Sequence, residues 1–327
     1  MDTSELDYDL PDEAIAQRPV EPRDAARLLV DRGPGRAPEH RRVADLAELV
    51  GPGDVIVVND SRVRRARLLL ARPTGGQVEV LLLEPRDGGW EALIRPSRRV
   101  RPGEALVAAH GAVTLTPRRP LGGGHWIVGV AGDPEQAGTV PLPPYIHEPL
   151  ADPERYQTVF ARRAVSAAAP TAGLHLTVAL LERCQARGAA VASVELAVGA
   201  DTFRPVTEAR VEDHPIHSES FDVPDATIAA CRDARRVIAI GTTVVRALES
   251  VAATGTRSGR TSLFITRGFE FRTVDVLLTN FHVPRSTLLA LIDAFVGPRW
   301  RDLYGVALAS GYRFLSFGDA MLVERAR

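Results

Sequence analysis

Three stretches of this chain gather the residue types that bind and transform small molecules: Pro170-Thr171-Ala172-Gly173-Leu174-His175, Gly241-Thr242-Thr243, and Thr279-Asn280-Phe281-His282-Val283-Pro284. Gly173 and Gly241 let the backbone come close to a ligand. The hydroxyls of Thr171, Thr242 and Thr243 either cap helices or bind ligand. His175 and His282 either serve as acid or base near neutral pH or pack as capping residues. A fourth stretch, His214-Pro215-Ile216-His217-Ser218-Glu219, brings two imidazoles and a carboxylate within six residues. Pro215 breaks the regular helix that presents such pairs to a metal, and no third histidine is near in sequence. A substrate-binding or supporting role is therefore expected, and no metal.

The elements that must hold these stretches are legible as apolar runs. Asp54–Asn59, Val191–Val198, Arg236–Ile240 and Val274–Leu278 read as buried strands, and Leu174–Arg187, Thr243–Ala253 and Ser286–Val296 as helices. Strands alternating with helices argue for an α/β layer architecture. In such sheets the ligand crevice lies beyond the carboxyl ends of the strands, where the three polar stretches fall. No Gly-x-Gly-x-x-Gly follows a strand, so a Rossmann nucleotide site is not supported.

Between these runs the pattern changes. Gln77–Leu83 and Gly89–Ile94 are short alternating runs broken by Gly and Pro turns, which read as a small antiparallel β domain. We expect an inserted β domain over 61–151 within an α/β domain made of 1–60 and 152–327, with Asp54–Asn59 joining the larger sheet and Pro141–Tyr145 serving as a stiff return linker. Residues 61–130 carry twelve arginines against five acids, a local charge of +7 in a chain whose total is −1. That excess suits RNA phosphates and equally describes a solvated face.

Composition narrows the chemistry further. The chain has 327 residues, 45% of them hydrophobic and 25% charged, a globular balance with no run long enough to span a membrane, so a cytoplasmic protein, favoured as a monomer, is expected. Two cysteines, Cys184 and Cys231, are too few for a disulfide framework or a four-thiolate zinc site. All 40 basic residues are arginine. Without lysine there is no Schiff base, no pyridoxal phosphate anchor and no P-loop.

Read together, the polar stretches resemble the S-adenosylmethionine:tRNA ribosyltransferase-isomerases of queuosine synthesis. The likeness runs through Tyr8-Asp9-Leu10-Pro11, Arg23-Asp24, Asn59-Asp60-Ser61-Arg62-Val63, Arg155–Phe160, Ala169–His175, Thr202–Val206, Gly241–Thr243 with Arg246 and Leu248-Glu249-Ser250, Thr279–His282, and Tyr312–Phe314 with Gly318–Leu322. The resemblance implies a larger α/β domain with a mixed sheet, interrupted by a small barrel-like β domain. It implies that S-adenosylmethionine donates its ribosyl part to the aminomethyl group of a 7-deazaguanine base in tRNA, with release of adenine and methionine. That chemistry asks for a base at the 5'-carbon beside the sulfonium, an acid for adenine departure and contacts to the methionine ends. On the residues that match, it implies catalytic work by His175, His217, His282, Asp319 and Glu249. S-adenosylmethionine contacts would come from Pro170, Thr171, Ala172, Gly173, Thr242, Thr243, Arg246, Asn280 and Phe281. Acceptor contacts would come from Arg23, Asp24, Asn59, Asp60, Arg62, Arg64, Arg65 and Arg204.

The chain departs from the family pattern at some of these places. The stretch Leu-His-Val-Gly-x-Gly-Thr-Phe stands here as Leu196-Ala197-Val198-Gly199-Ala200-Asp201-Thr202-Phe203, so an imidazole is lost and a carboxylate gained. The Phe after Leu-His is Leu176, and Ile-Pro after Asn-Asp-Thr-Arg-Val is Arg64-Arg65. These changes leave open a paralogue that uses S-adenosylmethionine on a small-molecule acceptor, or a non-catalytic RNA-binding relative. If the lost ring were an essential acid or base, turnover on the tRNA would be slower by on the order of 10²-fold or more.

Overall fold

The computed structural model describes residues 1–199, 205–216 and 218–326, and the chain divides into two compact units. The first comprises Met1–Arg62, Pro143–Arg163 and Ala169–Arg327, and the second Val63–Leu142 and Ala164–Ala168. The chain rejoins the first unit at 143, ahead of the 152 read from sequence. Gln17 Nε2 donates to the Tyr145 carbonyl at 2.9 Å and Tyr145 Oη meets Ser316 Oγ at 2.7 Å, which ties the Pro-rich stretch to that unit.

In chain order the strands of the first unit begin with β1 (Arg27–Asp31), β2 (Glu39–Arg42) and β3 (Asp54–Asn59). After the short β4 (Arg62–Val63) come β5 (Arg67–Ala71), β6 (Gln77–Arg86), β7 (Gly89–Arg95), β8 (Leu106–Ala108), β9 (Val113–Gly122) and β10 (His125–Gly132) of the second unit, then the short β11 (Ala164–Ser166). The first unit resumes with β12 (Ala190–Leu196), β13 (Glu219–Asp222), β14 (Arg236–Ile240), β15 (Ser258–Thr261), β16 (Val276–Asn280) and β17 (Ala320–Glu324).

The first unit is built on a nine-stranded mixed sheet ordered β15-β13-β12-β3-β14-β16-β17-β1-β2. Its centre, β12-β3-β14-β16, is parallel, and the runs Val55–Val58 and Val237–Ile240 are buried throughout, as strands covered on both faces require. One face packs Ile56, Val58, Ile238, Ile240 and Leu278 against Leu46, Leu180 and Cys184. The chain leaves β3 for β12 on one side and later takes up β14 on the other, so the strand order reverses at β3. In sheets of this kind ligands bind beyond the carboxyl ends of the strands at such a reversal.

The seven helices, in chain order, are α1 (Leu46–Leu49), α2 (Pro134–Ala137), α3 (Val178–Ala186), α4 (Asp225–Asp233), α5 (Thr242–Thr254), α6 (Thr287–Val296) and α7 (Trp300–Ala309) among the described residues. The helix read from Leu174 starts only at Val178. Thr177 Oγ1 accepts the Leu180 N–H at 3.1 Å and caps α3, while Thr171–His175 forms a separate 3-10 turn and Leu176 between them is extended. A threonine that can cap overrides an apolar period that runs on past it. α5 and α6 lie within a residue of the expected bounds, α6 because Ser286 caps it through the Leu289 N–H. In the second unit β10-β7-β6-β5-β8-β9 close into an antiparallel barrel filled by Leu68, Leu70, Val80, Ile94, Leu115 and Val128.

Candidate functional site

The carboxyl ends of β3, β14 and β16 carry Asn59-Asp60, Gly241-Thr242-Thr243 and Thr279-Asn280. Asn59 is fully buried and its amide is complete: Nδ2 donates to the Leu196 carbonyl at 3.0 Å and to Thr243 Oγ1 at 3.3 Å, and Oδ1 accepts the N–H groups of Ser61 and Leu196, both at 3.1 Å. It therefore ties β3 to β12 and to the first turn of α5. Gly241 turns the chain from β14 into α5 at φ +96°, a conformation that favours glycine, and α5 begins without a side-chain cap. An uncapped helix start of this kind presents backbone N–H donors to a ligand.

Asp60, the residue after β3, is 8% exposed. Burial raises its carboxyl above the ordinary aspartate value, against the lowering effect of a hydrogen bond from Ser193 and of Arg162, whose Nε lies 3.6 Å away. A buried carboxylate with a raised pKa is a better proton acceptor than an exposed one.

His175 and His282 are held by consecutive residues of β16. Asn280 Nδ2 lies 2.9 Å from His175 Nε2, and Thr279 Oγ1 lies 2.9 Å from His282 Nε2. Neighbouring strand residues point to opposite faces, so the two imidazoles are held apart. Asn280 Nδ2 also faces the carbonyl oxygens of Leu315 at 3.1 Å and Asp319 at 3.4 Å, which sets the amide orientation. Nε2 of His175 must then accept, and its proton sits on Nδ1. Burial, with Arg313, Arg155 and Arg23 nearby, brings the His175 pKa down to about 4, and burial alone brings His282 to about 3. Both rings are neutral at physiological pH.

These depressed values have a consequence for stability. Below an ordinary pKa of about 6.5 the unfolded chain takes up two protons that the folded chain refuses, so stability falls as pH falls from about 6.5 toward 4. The two rings together contribute a slope of about 2.7 kcal/mol per pH unit. Thermal midpoints measured from pH 7.5 to 4.5 should drop along that line, and His282→Gln should halve this part of the slope. A midpoint indifferent to pH in the unmodified protein would rule the burial argument out.

Arginines ring His175. Arg23 donates to the carbonyls of Glu154, Gln157 and Leu174 at 2.9, 2.9 and 3.2 Å, and Arg155 pairs with Glu21 and donates to the Val20 carbonyl. Arg155 Nη1 and Asn280 Oδ1 are buried with no hydrogen-bond partner among the described residues. A small cleft lined by Arg23, Arg155, His175, Ser316 and Phe317 opens here. At Gly173 a Cβ would meet Phe160 Cζ and Thr158 Cγ2 at 2.9 Å each, so the backbone there is closely packed. Ala172 packs in the core beside Gly241, and Pro170 and Thr171 open the 3-10 turn.

Other residues read from sequence are placed elsewhere or are fully engaged. Glu249 accepts the N–H groups of Arg272, Thr273 and Val274 at 2.9, 3.0 and 3.0 Å. Asp319 accepts those of Arg27 and Arg313, both at 2.8 Å. Both carboxylates order backbone, and Asp319 Oδ1 also lies 3.9 Å from Arg313 Nη2. Phe281 is fully buried, stacked on Phe314 at 4.7 Å and edge-on to Tyr304 at 5.2 Å. Asp24 accepts from Thr177 Oγ1 at the start of α3. Arg246 pairs with Glu219, whose Oε1 accepts the Gly199 N–H, at a separate cleft that also contains Phe264 and Leu288. His214 Nδ1 lies 2.7 Å from Glu208 Oε2, and no cluster of metal-ligating side chains occurs among the described residues. His217, Arg204 and Asp201 lie outside the described residues. Ala197 donates its N–H to the Ser220 carbonyl at 2.9 Å.

Sequence reasoning missed Arg155 and Arg313. Both lie in the motifs that carry the resemblance, and only the folded chain brings them to His175. A cleft of about 730 Å³ in the second unit is lined by residues such as Leu69, Gln77 and Thr139. No helix among the described residues is long and apolar enough to cross a membrane.

Known proteins are similar to this chain over nearly its whole length. A family model described as queuosine biosynthesis protein matches residues 3–323. A protein from Rubrobacter xylanophilus named S-adenosylmethionine:tRNA ribosyltransferase-isomerase is 53% identical over 99% of this chain and 98% of its own. A protein of the same name from Moorella thermoacetica is 48% identical over 99% of this chain and 100% of its own. The crystal structure of S-adenosylmethionine tRNA ribosyltransferase from Thermotoga maritima superposes with a TM-score of 0.57 at 36% identity, over 98% of this chain and 100% of that one.

Proposed function

The chain belongs to the queuosine biosynthesis protein family, and from that membership we propose that it moves and isomerises the ribosyl part of S-adenosylmethionine onto a 7-aminomethyl-7-deazaguanine base in tRNA, releasing adenine and methionine. The family is one of enzymes, which sets aside a non-catalytic RNA-binding relative. The observation that supports the reading is the set of groups at and just past the carboxyl ends of the parallel strands: the uncapped start of α5 after β14, the buried Asp60 after β3, and, beside β16, the cleft at His175 with the unpartnered Asn280 Oδ1 and Arg155 Nη1.

The residues divide the work by their chemistry. Asn280 Oδ1 is an acceptor and Arg155 Nη1 a donor beside the same imidazole, the pair that the ammonium and carboxylate of a methionine end require. His175, neutral and protonated on Nδ1, supplies a hydrogen-bond donor rather than a base, because Asn280 occupies its other nitrogen. The proton at the 5'-carbon is taken by Asp60, the carboxylate after β3 whose burial favours protonation. Ala197 has no titratable group, so no proton is routed through that position.

Incubation with S-adenosylmethionine and tRNA bearing the deazaguanine base, followed by mass spectrometry, tests the reaction. Adenine, methionine and the modified tRNA should appear together. Adenine released without a tRNA adduct, or an adduct only on a free base, would reject the tRNA acceptor. For the binding site, Thr243→Val keeps shape and removes one hydroxyl, which also accepts from Asn59 Nδ2 at 3.3 Å, so its thermal midpoint is measured alongside, whereas a Gly173 substitution collides with Phe160. Calorimetry should show S-adenosylmethionine bound about fivefold to tenfold more weakly, the worth of one hydrogen bond. Unchanged affinity would move the ligand away from the start of α5.

A further inference from the structure

The arginines that sequence marks for phosphate contact are largely committed within the fold. Arg62 Nη2 donates to Glu154 Oε1 at 2.6 Å, and Arg64 lies over the Trp90 ring at 4.8 Å with Nε on the Ala164 carbonyl at 2.8 Å. Arg65 Nε donates to the Gly138 carbonyl at 3.0 Å. Three further barrel arginines are paired: Arg72 with Glu104, Arg86 with Glu91 and Arg119 with Asp87.

One turn stands apart. β7 ends at Arg95, a 3-10 turn spans Ser97–Arg99, and Arg95, Arg98, Arg99 and Arg101 are all exposed. Among the described residues none of the four guanidinium groups has a hydrogen bond or ion pair. The nearest acid in sequence to Arg101, Glu104, already takes the Arg72 guanidinium at 2.9 and 3.3 Å and the Arg101 N–H at 3.0 Å. Glu91 is likewise taken by Arg86 and His125.

The backbone beneath these charges is held firmly. Trp126 Nε1 donates to Ser97 Oγ at 2.7 Å, the Val100 N–H reaches the Ser97 carbonyl at 3.0 Å, and the Val100 side chain is buried. Four like charges within seven residues repel one another, and a polyanion laid across them removes the repulsion.

We propose that the Arg95–Arg101 turn of the barrel is a phosphate-contact surface for tRNA, an inference that rests on the tRNA acceptor of the proposed function. Such contacts add affinity without reading sequence, and each releases counterions. The test is binding of a tRNA transcript between about 50 and 200 mM salt by the full-length protein, by R95Q/R98Q/R99Q/R101Q, and by the control R118Q/R119Q. In the control, Arg118 lies at the other end of β7, with Nη1 on the Gly88 carbonyl at 3.1 Å.

Losing four contacts should flatten the slope of log affinity against log salt by roughly 3, from about 0.7 to 0.9 per phosphate, and weaken binding by on the order of 10²-fold near 100 mM. The control should change the slope by less than about 1. With tRNA saturating, kcat of the fourfold variant should equal that of the unmodified enzyme while KM for tRNA rises. An unchanged slope in a variant that still modifies tRNA overturns this inference alone, as does a control that flattens as much as the fourfold variant. Absence of salt-dependent tRNA binding by the unmodified protein overturns the tRNA acceptor as well.

Discussion

Replacing Glu249 with alanine should destabilise the protein by about 3 to 5 kcal/mol, the loss expected when three backbone N–H groups lose a shared carboxylate acceptor. The side chain is 1% exposed and sits in the middle of α5, and its oxygens receive the Arg272, Thr273 and Val274 N–H groups at 2.9 to 3.0 Å. Val274 is fully buried, so water cannot replace the lost partner there, and the segment it begins leads into β16 and Asn280. For a chain of this size the thermal midpoint should fall by about 4 to 7 °C. Glu249→Gln, which keeps an acceptor oxygen, should show a smaller loss. A role in the chemistry predicts the reverse pattern: a large fall in kcat for the Gln variant with an unmoved midpoint. That outcome would restore Glu249 to the reacting centre.

Asp60→Asn should behave in the opposite way, abolishing most of the activity while leaving the fold as stable or more so. A proton acceptor in the rate-determining transfer is worth about 10² to 10⁴ in rate, and the isosteric amide cannot take a proton. The stability sign follows from burial, which raises the Asp60 pKa. A raised carboxyl contributes stability in its protonated form, present below the ordinary value and lost as pH rises through the higher folded value. At neutral pH the buried carboxylate is therefore a burden on the fold, relieved only in part by Ser193 and by Arg162 at 3.6 Å. For the same reason the acid limb of kcat in the unmodified enzyme should lie above the usual aspartate range. The measurements are kcat against pH and thermal midpoints for both proteins, with calorimetry to show that S-adenosylmethionine still binds. Full rate in Asp60→Asn would remove Asp60 from the proton path.

The contrast between these two acids marks where reading the sequence stops. Both lie in stretches that carry the family resemblance, and nothing within a few residues of either tells them apart. Glu249 is engaged because the chain returns to α5 some 25 residues later with three N–H groups to satisfy, whereas Asp60 sits where the strand order reverses. The same holds for the arginines. A charge count over 61–130 separates a basic insertion from the rest, but pairing with Glu91, Glu104 and Glu154 decides which guanidinium groups stay free.

What the sequence by itself determined was local and periodic. The β-branched runs Asp54–Asn59 and Arg236–Ile240 are strands in any fold that covers both faces, Ser286 starts α6 by capping it, and alternating residues over 77–94 make the barrel hairpin. Each of these depends on neighbours within about a turn of helix or a strand's length. Only the tertiary structure decided that Asn280 would set the His175 tautomer, and that burial together with Arg313, Arg155 and Arg23 would lower its pKa. Those outcomes depend on groups brought together over as many as 151 residues, as for Arg23 and Leu174. A buried polar atom takes whichever partner the closed chain delivers, and no local pattern records which one that will be.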